Sequence, residues 1–497
     1  MQKRTWGWLA PATLVLGLSG CVTGKIYDAN TRAPVAGINV FAVGSCYGTA
    51  CVSKTEGRAV SGSDGLWVFD AYGDTNRAGD TQMMLPAPGE TVLLVFLRAG
   101  YQGVTISHRP VYQTESYYNG TKTYQVSHVQ DLYMCPDNSP DSDHDGICDA
   151  AERIYGTDPF NADTDGDSLS DRAELLGDGL DLRSYGASAT HKDVFIHADY
   201  YVQPMQAALD QVVKAFADAP VLNPDGKTGI NLHILLGRQI APSDQNQNFI
   251  IGPGGDWSQV DVVKNKYFPP DRARFMHYML FANRYDSDTS SGISRGIPAH
   301  DFLVTLGGWP VPYGTELQQA GTLMHELGHN LGLLHGGNEN RNYKPNYLSV
   351  MNYIYQVVGL FRDGTAGVLD YSRLQIGTMV ESALSEPSGM PAAGATTPAD
   401  LSHYRARFAA GYLVKGTVNG PLDFNGNLAF DSGLTSADLD GNGVATDTFA
   451  TSQNDWGALI YRGSASGGGI IGNGNAPVPP GEPRILPQQM EKELTHP

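Results

Sequence analysis

Residues 325–335 read H-E-L-G-H-N-L-G-L-L-H, the most specific pattern in the chain. Residues four apart lie on the same face of a helix, so His325 and His329 can present two imidazole nitrogens to one metal ion. Gly332 permits a backbone turn that most residues avoid, and this turn would return His335 as a third ligand. Glu326 is then placed to act as general base towards a water at the open position of a catalytic zinc. The alternative is an amphipathic helix whose histidines make ordinary hydrogen bonds.

A second motif follows at residues 347–353, which read Y-L-S-V-M-N-Y. Together the two motifs resemble the metzincin metallopeptidases, in which a methionine-containing turn lies beneath the zinc. The resemblance implies that Met351 is this methionine. The S-x-M-x-Y form is similar to the astacin and serralysin branch, which implies that Tyr353 stabilises the oxyanion of the transition state. Taken alone, Met351 also fits a gap filler in a core, and Tyr353 also fits an aromatic of a tyrosine-rich segment.

The first residues of the chain predict export. Residues 1–20 have a basic start and an apolar run that is too short to span a bilayer comfortably, which is typical of a secretory signal. Residues 18–21, L-S-G-C, resemble the bacterial lipobox, which implies cleavage before Cys21 and attachment of lipid to its sulfur. Val22 is similar to the outer-membrane sorting pattern. We therefore expect a lipoprotein of the bacterial envelope, in the outer membrane; the alternative is an ordinary signal peptide with a chance cysteine.

The remaining cysteines favour disulfide bonds, because their number is even and the chain is expected to be exported. They are Cys46, Cys51, Cys135 and Cys148. Four cysteines allow three pairings. Proximity favours Cys46 with Cys51 and Cys135 with Cys148.

Length and charge limit the class of protein. The chain has 497 residues, for which several domains are expected. It carries 52 Asp and Glu against 33 Lys and Arg, a formal net charge of −19. This excess of negative charge argues against nucleic acid as a partner.

Residues 21–134 predict an all-β domain. Strand-like runs occur at residues 37–43, 66–69 and 91–97, with turn clusters between them. The order G-K-I-Y-D, P-V-A-G-I-N-V, S-D-G-L-W-V-F and R-A-G-Y resembles the carboxypeptidase regulatory-like β-sandwich. The resemblance implies a folded spacer or a binding module. Residues 112–130 give no assignment.

Residues 135–180 predict calcium-binding repeats. Carboxylates at loop positions 1, 3, 5, 9 and 12 converge on one hard cation. The linking G-T-D-P and C-P resemble thrombospondin type-3 repeats, and the segment is expected to form a calcium-stiffened stalk. The alternative is an acidic disordered linker. The predicted ligands are Asp141, Asp143, Asp145, Asp149 and Glu152 in the first loop, and Asp163, Asp165, Asp167, Asp171 and Glu174 in the second, where Ser168 stands in place of glycine.

Residues 190–460 predict an α+β domain with a mixed sheet around the zinc helix. Strands are expected at 193–198, 230–236, 275–281 and 301–306, a helix from Pro204, and the zinc helix over 316–334. The order of these elements resembles the upper lobe of metzincins, which implies that an edge strand holds a peptide by β-augmentation. His197, His233, His277 and His300 lack ligand spacing. Two later runs, at 423–427 and 438–443, fit either calcium loops or plain turns.

These predictions describe a multidomain protein with a β-sandwich, a calcium-loop stalk and a metzincin-like catalytic domain, followed by a disordered tail at 461–497. The function they favour is that of a zinc endopeptidase with catalytic zinc and structural calcium, acting on protein or peptide substrates and held to the membrane by lipid. The rival hypothesis is a non-catalytic adhesin or envelope scaffold with a vestigial zinc site. The intact Glu326 argues against this rival.

Overall fold

The computed structural model describes residues 20–47, 50–52, 57–70, 91–117, 122–241, 247–252, 254–286, 290–408 and 416–461. The predicted signal peptide, apart from residue 20, and the predicted tail, apart from residue 461, lie outside the described residues. The protein is multidomain and rich in β-structure, and it divides into two compact units. The first unit contains the residues up to 162 together with 171–185, and the second contains 163–170 and the residues from 186 onward.

The described residues of the first unit form two five-stranded sheets. In one sheet the order is β10-β1-β9-β8, with β5 also paired to β1; in the other it is β3-β2-β6-β7, with β4 also paired to β2. The strands are β1 Gly20–Asp28, β2 Asn39–Tyr47, β3 Ala50–Val52, β4 Gly57–Val60, β5 Leu66–Asp70, β6 Thr91–Leu97, β7 Val104–His108, β8 Gln113–Tyr117, β9 Lys122–His128 and β10 Leu132–Met134. Two short helices follow, α1 Asp149–Tyr155 and α2 Asp171–Leu175, and then a 3-10 turn over Leu182–Tyr185.

Side chains from both sheets form one core in this unit. The rings of Trp67 and Phe96, which lie on opposite sheets, have centroids 5.7 Å apart. Strand β6 has the predicted bounds, and its side chains alternate between buried and less buried positions because every second residue faces the core. Strands β8 and β9 lie within residues 112–130, which gave no assignment from the sequence.

The second unit is built on a five-stranded sheet of order β12-β11-β14-β17-β16. The first four of these strands are parallel, whereas β16 is antiparallel to β17, so the sheet is mixed as predicted. The strand at residues 301–304 lies inside the sheet. The edge strand beside it consists of residues 292–294, for which no strand was predicted. The strands are β11 Asp193–Tyr200, β12 Asn231–Gln239, β13 Asn248–Phe249, β14 His277–Phe281, β15 Arg284–Tyr285, β16 Gly292–Ser294 and β17 Asp301–Val304.

Three helices accompany this sheet, α3 Gln206–Ala217, α4 Ser258–Tyr267 and α5 Glu316–Asn330. Helix α5 carries the first two histidines of the motif. It begins where predicted, because Thr315 and Gln318 form a reciprocal capping box. Its predicted end at residue 334 is wrong: the helix ends at Asn330, and Gly332 takes a φ of +92° that turns the chain away.

One apolar core joins the sheet to α5 and to the segment that follows it. Leu323 and Leu327 of the helix pack in the same cluster as Phe302 of the sheet and as Met351. Within the described residues, no helix has both the length and the apolar character needed to cross a membrane.

A separate apolar core of the second unit includes Ile376, Leu384, Leu439 and Phe449. This part has short strands and turns. Its elements are the strands β18 Leu360–Arg362, β19 Thr365–Val368, β20 Met379–Val380, β21 Leu384–Ser385, β22 Tyr404–Arg405, β23 Leu434–Thr435 and β24 Thr448–Phe449, the helix α6 Pro398–Leu401, and 3-10 turns over Glu381–Ala383 and Glu386–Ser388. A further 3-10 turn, Leu306–Gly308, follows β17 and packs in the core of the central sheet.

Candidate metal centre

The three motif histidines meet at one point inside the second unit. Nε2 of His329 lies 3.1 Å from Nε2 of His325 and 3.1 Å from Nε2 of His335. Nitrogens that bind one zinc at about 2.0–2.1 Å in tetrahedral geometry lie roughly 3.3 Å apart. All three side chains are buried. The spacing of the imidazoles therefore fits a single transition-metal ion.

Backbone carbonyls hold two of the rings in the tautomer that a metal requires. Nδ1 of His325 donates to the carbonyl of Val350 at 2.9 Å, and Nδ1 of His329 donates to the carbonyl of Leu333 at 2.7 Å. Because the proton is on Nδ1, the lone pair of Nε2 remains available for a metal. These two carbonyls were not identified in the sequence, since a backbone acceptor leaves no trace in residue type.

Burial keeps the histidines neutral. It lowers the pKa of His329 to about 4, and burial together with the neighbouring His329 lowers the pKa of His335 to about 2. Burial, with His329 and His335 adding to it, also lowers the pKa of His325 well below its usual value. Neutral imidazole is the ligand form of histidine, so the three rings are ready to bind a metal at neutral pH.

The segment after the third histidine lies directly beneath the helix. Met351 is fully buried, and a Cβ added to Gly328 of α5 would lie 2.2 Å from its sulfur. The sulfur therefore occupies space that only a glycine in the helix leaves open. The same segment supplies the Val350 carbonyl, so it both supports the helix and orients His325.

The ring of Tyr353 lies against the histidines. Its centroid is 4.3 Å from that of His335 and 5.5 Å from that of His325, and the residue is buried. The structure thus brings this sequence-predicted residue to the histidine cluster. Tyr353 sits three positions after the Val350 carbonyl that orients His325, so one short segment contributes both.

Glu326 is fully buried and faces the edge strand of the central sheet. A Cβ added to Gly292 of β16 would lie 2.8 Å from both Cγ and Oε1 of Glu326. The absence of a side chain at residue 292 therefore leaves the room that the carboxylate occupies. Gly292 was not identified in the sequence, because a three-residue strand in a serine- and glycine-rich run has no periodic signal.

The first predicted calcium loop brings its carboxylates together in the first unit. Asp141, Asp143 and Asp145 each offer an oxygen within 4.8 Å of the others. Oxygens that bind one calcium at about 2.4 Å lie no more than roughly 4.8 Å apart. Burial, together with the neighbouring carboxylates of Asp143 and Asp141, raises the pKa of Asp145 to about 6.

Two further predicted ligands of this loop are buried beside these carboxylates. Glu152 is fully buried, and its two carboxylate oxygens have no hydrogen-bond partner within the described part of the chain. Burial and the carboxylates of Asp143 and Asp145 raise its pKa to about 8. Asp149 accepts hydrogen bonds from the amide and hydroxyl of Ser142 and so closes the loop. A cation would offset the charge repulsion within this group.

The second loop has the same backbone geometry, although Ser168 stands where glycine was expected. The amides of Gly166 and Ser168 donate to the two oxygens of Asp163, as those of His144 and Gly146 donate to Asp141. Ser168 accordingly has a φ of +73°, in the region that Gly146 also occupies. The loop carboxylates of Asp163, Asp165 and Asp167 each offer an oxygen within 4.8 Å of the others, while Asp171 and Glu174 are buried in α2 of the first unit.

Two later loops repeat this hydrogen-bond pattern. The amides of Gly441 and Gly443 donate to Asp438, and the amide of Leu428 donates to Asp423. Each loop is closed by a buried glutamate from an earlier 3-10 turn. Glu381 accepts from the amides of Leu439 and Asp447, and Glu386 accepts from those of Phe424, Asn425 and Asp431. Glu381, Asp440 and Asp447 bring oxygens within 4.8 Å of one another, but Arg341 forms ion pairs with both aspartates.

One of the two cysteine pairs favoured by proximity is bonded in the structure. Cys135 and Cys148 form a disulfide that encloses the start of the first calcium loop. Cys46 and Cys51 lie opposite each other in the register of β2 and β3, but their side chains lie outside the described residues. Cys21 is a partly exposed residue of β1.

The histidines that lack ligand spacing make structural contacts in the second unit. His233 bonds to the carboxylate of Asp193, and the buried His197 contacts Asp199 and Arg272. Burial lowers the pKa of His277 to about 3. Among the described residues, none of these histidines belongs to a group that could hold a metal ion.

Residues 141–162 match the family model of the bacterial TSP3 repeat, which is of a calcium-binding type. This match supports structural calcium in the protein. The chain has no match among curated proteins.

Solved structures give only weak likenesses. Hydroxyquinol 1,2-dioxygenase from Pseudomonas putida DLL-E4 is 12% identical over 25% of this chain and 58% of its own, with a TM-score of 0.18. Catechol 1,2-dioxygenase from Pseudomonas arvilla C-1 is 14% identical over 26% of this chain and 56% of its own, with a TM-score of 0.18. This chain thus covers less than two thirds of either structure. Likenesses this weak support no conclusion about fold or function.

Proposed function

We propose that the protein is a zinc-dependent endopeptidase of the metzincin type, exported and anchored by lipid to the bacterial envelope. The observation that carries the proposal is the meeting of three buried Nε2 atoms, with Glu326 on the same helix and Met351 beneath it. The substrate class is protein or peptide, because the edge strand β16 lies next to Glu326 and can pair with an extended chain.

The residues present fit a zinc ion. Two of the ligand rings donate their Nδ1 protons to carbonyl oxygens, and three ligands leave a fourth position for water. A zinc ion bound there would lower the pKa of a water to roughly 7 and polarise the scissile carbonyl.

Each step of hydrolysis then has a residue of this chain to serve it. Glu326 accepts a proton from the attacking water and later donates it to the leaving amine. Tyr353, whose ring lies against His335, donates a hydrogen bond to the developing oxyanion. The backbone of β16 holds the substrate in an extended form beside Glu326.

Removal of zinc is the direct test. Purified full-length protein is expected to contain one zinc by elemental analysis and to cleave casein. Cleavage should cease with 1,10-phenanthroline and should persist with the non-chelating 1,7 isomer. It should return when zinc is added back to protein that is kept in an excess of calcium throughout. Cleavage that survives zinc removal would exclude the proposal.

The lipid anchor has a separate test. In the bacterial host, Cys21→Ser should move the protein from the membrane fraction to the soluble exported fraction, because the acyl chains that hold it have no sulfur to attach to. Cys135→Ser is the control. It removes a sulfur that takes part in a disulfide and carries no lipid, so this variant should remain in the membrane fraction. Retention of the Cys21→Ser protein in membranes would contradict anchoring through this residue.

The rival function is a non-catalytic, calcium-stabilised surface protein. The match of residues 141–162 to the TSP3 repeat favours this rival, because a surface protein of this kind needs only the β-sheets and bound calcium. Zinc-loaded protein that cleaves neither casein nor a proteome-derived peptide library would support this rival.

A further inference from the structure

The two calcium loops differ in the compact unit to which they belong. The first loop, residues 141–152, lies in the first unit. Residues 163–170, which contain Asp163, Asp165 and Asp167, lie in the second unit with the histidine cluster. The second loop is thus a part of the unit for which we propose catalysis, although it is close to the first loop in sequence.

A carboxylate of the second loop binds the first residue of the central sheet. The amide of Asp193, where β11 begins, donates to Oδ2 of Asp167 at 2.6 Å. The carboxylate of Asp193 accepts from the amide of Ser188 at 2.8 Å and also contacts His233 on the neighbouring strand β12. Strand β11 lies between β12 and β14, in the sheet that packs with α5. Asp167 is therefore hydrogen-bonded to the sheet that packs against α5.

The second loop has another contact in the same unit. The hydroxyl of Ser168 donates to the carbonyl of Tyr461, whose ring packs against the core shared by the sheet and α5. The ammonium of Lys192, next to Asp193, lies 5.3 Å from the centroid of that ring. The loop is thus held to the unit at both Asp167 and Ser168.

The loop contains a buried carboxylate oxygen that lacks a hydrogen-bond partner among the described residues. Asp165 is 6% exposed, and its Oδ2 has no hydrogen-bond partner among the residues described by the structure. Asp163 and Asp167 each bring an oxygen within 4.8 Å of an oxygen of Asp165. A buried carboxylate in such a group is unfavourable unless a cation compensates for it. Calcium has the oxygen preference and the charge that this loop requires.

We infer that calcium in the second loop controls the order of the central sheet and thereby makes peptidase activity calcium-dependent, whereas calcium in the first loop does not. The inference rests on the proposed function for its activity part alone. Without calcium, repulsion among the three carboxylates opens the loop, and the amide of Asp193 loses its acceptor. The start of β11 then becomes free to exchange, and the sheet that supports α5 loses order at that end.

The chain offers a matched pair of variants for the test. Asp143 and Asp165 occupy the same position of the two loops, and Oδ1 of each accepts the amide two residues later at 3.2 Å. Asp143→Asn and Asp165→Asn retain that acceptor and remove one charge. Each is expected to raise the calcium concentration that fills its own loop by about tenfold or more.

Hydrogen exchange of the zinc-loaded, full-length protein is followed at residues 193–200 during a calcium titration. In the wild-type protein and in Asp143→Asn, protection of these amides should rise at the same calcium concentration. In Asp165→Asn the rise should shift to about tenfold higher calcium or more, and the calcium dependence of casein hydrolysis should shift with it.

The outcomes separate the inference from the proposed function. Equal behaviour of the two variants at residues 193–200 would overturn the inference, as would wild-type protection that does not respond to calcium. If Asp165→Asn does not fold, the wild-type titration and Asp143→Asn still decide the matter. Protection that follows the second loop without any hydrolysis would leave the inference on the sheet intact and count against the peptidase.

Discussion

Glu326→Gln is expected to lower the rate of peptide hydrolysis by roughly 10²–10⁴-fold, the range that general acid–base catalysis contributes. The amide has the shape of the carboxylate but cannot accept a proton from water. Because glutamine fills the same buried space as glutamate, the variant should keep its fold. It should also keep its zinc, because the three histidines that would bind the ion are unchanged. Casein hydrolysis and elemental analysis of the same sample measure the two effects.

The same helix provides the control for this variant. Glu316 lies in the first turn of α5 and is exposed, so Glu316→Gln should leave hydrolysis close to the wild-type rate. A Glu326→Gln protein that retains zinc and hydrolyses casein within tenfold of wild type would show that another group is the base. Loss of both zinc and activity would indicate a role in the fold instead.

Gly292→Ala should reduce hydrolysis by about 100-fold, the effect of moving a catalytic group by roughly 1 Å. The new methyl group would lie 2.8 Å from Cγ and Oε1 of Glu326 and 2.6 Å from the carbonyl oxygen of Leu303. Since the backbone oxygen is held in the sheet, the carboxylate is the group that must move. Zinc content should be unchanged, because the atoms nearest to the new methyl group belong to Leu303 and Glu326 and not to a histidine.

A glycine in open space is the control for the methyl group itself. A Cβ added to Gly433 would meet no atom within 4 Å, so Gly433→Ala should retain activity. Unimpaired hydrolysis by Gly292→Ala would mean that Glu326 has room elsewhere and that β16 does not set its position. A loss of zinc in Gly292→Ala would place its effect on the fold of the metal site.

Local patterns in the sequence predicted the parts of the structure that depend on spacing along one element. His325 and His329 meet because they are four apart on a helix, and His335 returns because Gly332 turns the chain. The bounds of β6 coincide with the strand-like run at residues 91–97. The spacing of aspartates likewise predicted both loops, including the second, in which Ser168 adopts the conformation expected of glycine.

What the sequence did not reveal depends on contacts between distant residues. Gly292 faces Glu326 across 34 positions, and Glu386 closes a loop that begins at Asp423. The carbonyls of Val350 and Leu333 orient the histidines without any signal in residue type. The early end of α5 was missed because the apolar residues continue to Leu334, although the backbone has already turned at Gly332. Such features follow from tertiary packing and leave no periodicity in the chain.

The membership of residues 163–170 in the second unit determines where the chain can be shortened. A recombinant fragment that begins at residue 190, the boundary suggested by composition, would lack the acceptor for the Asp193 amide. Fragments intended for crystallisation should therefore start upstream of Asp163 and retain Tyr461, whose carbonyl bonds to Ser168. Since residues 171–185 belong to the first unit, no single cut in this region yields two intact halves.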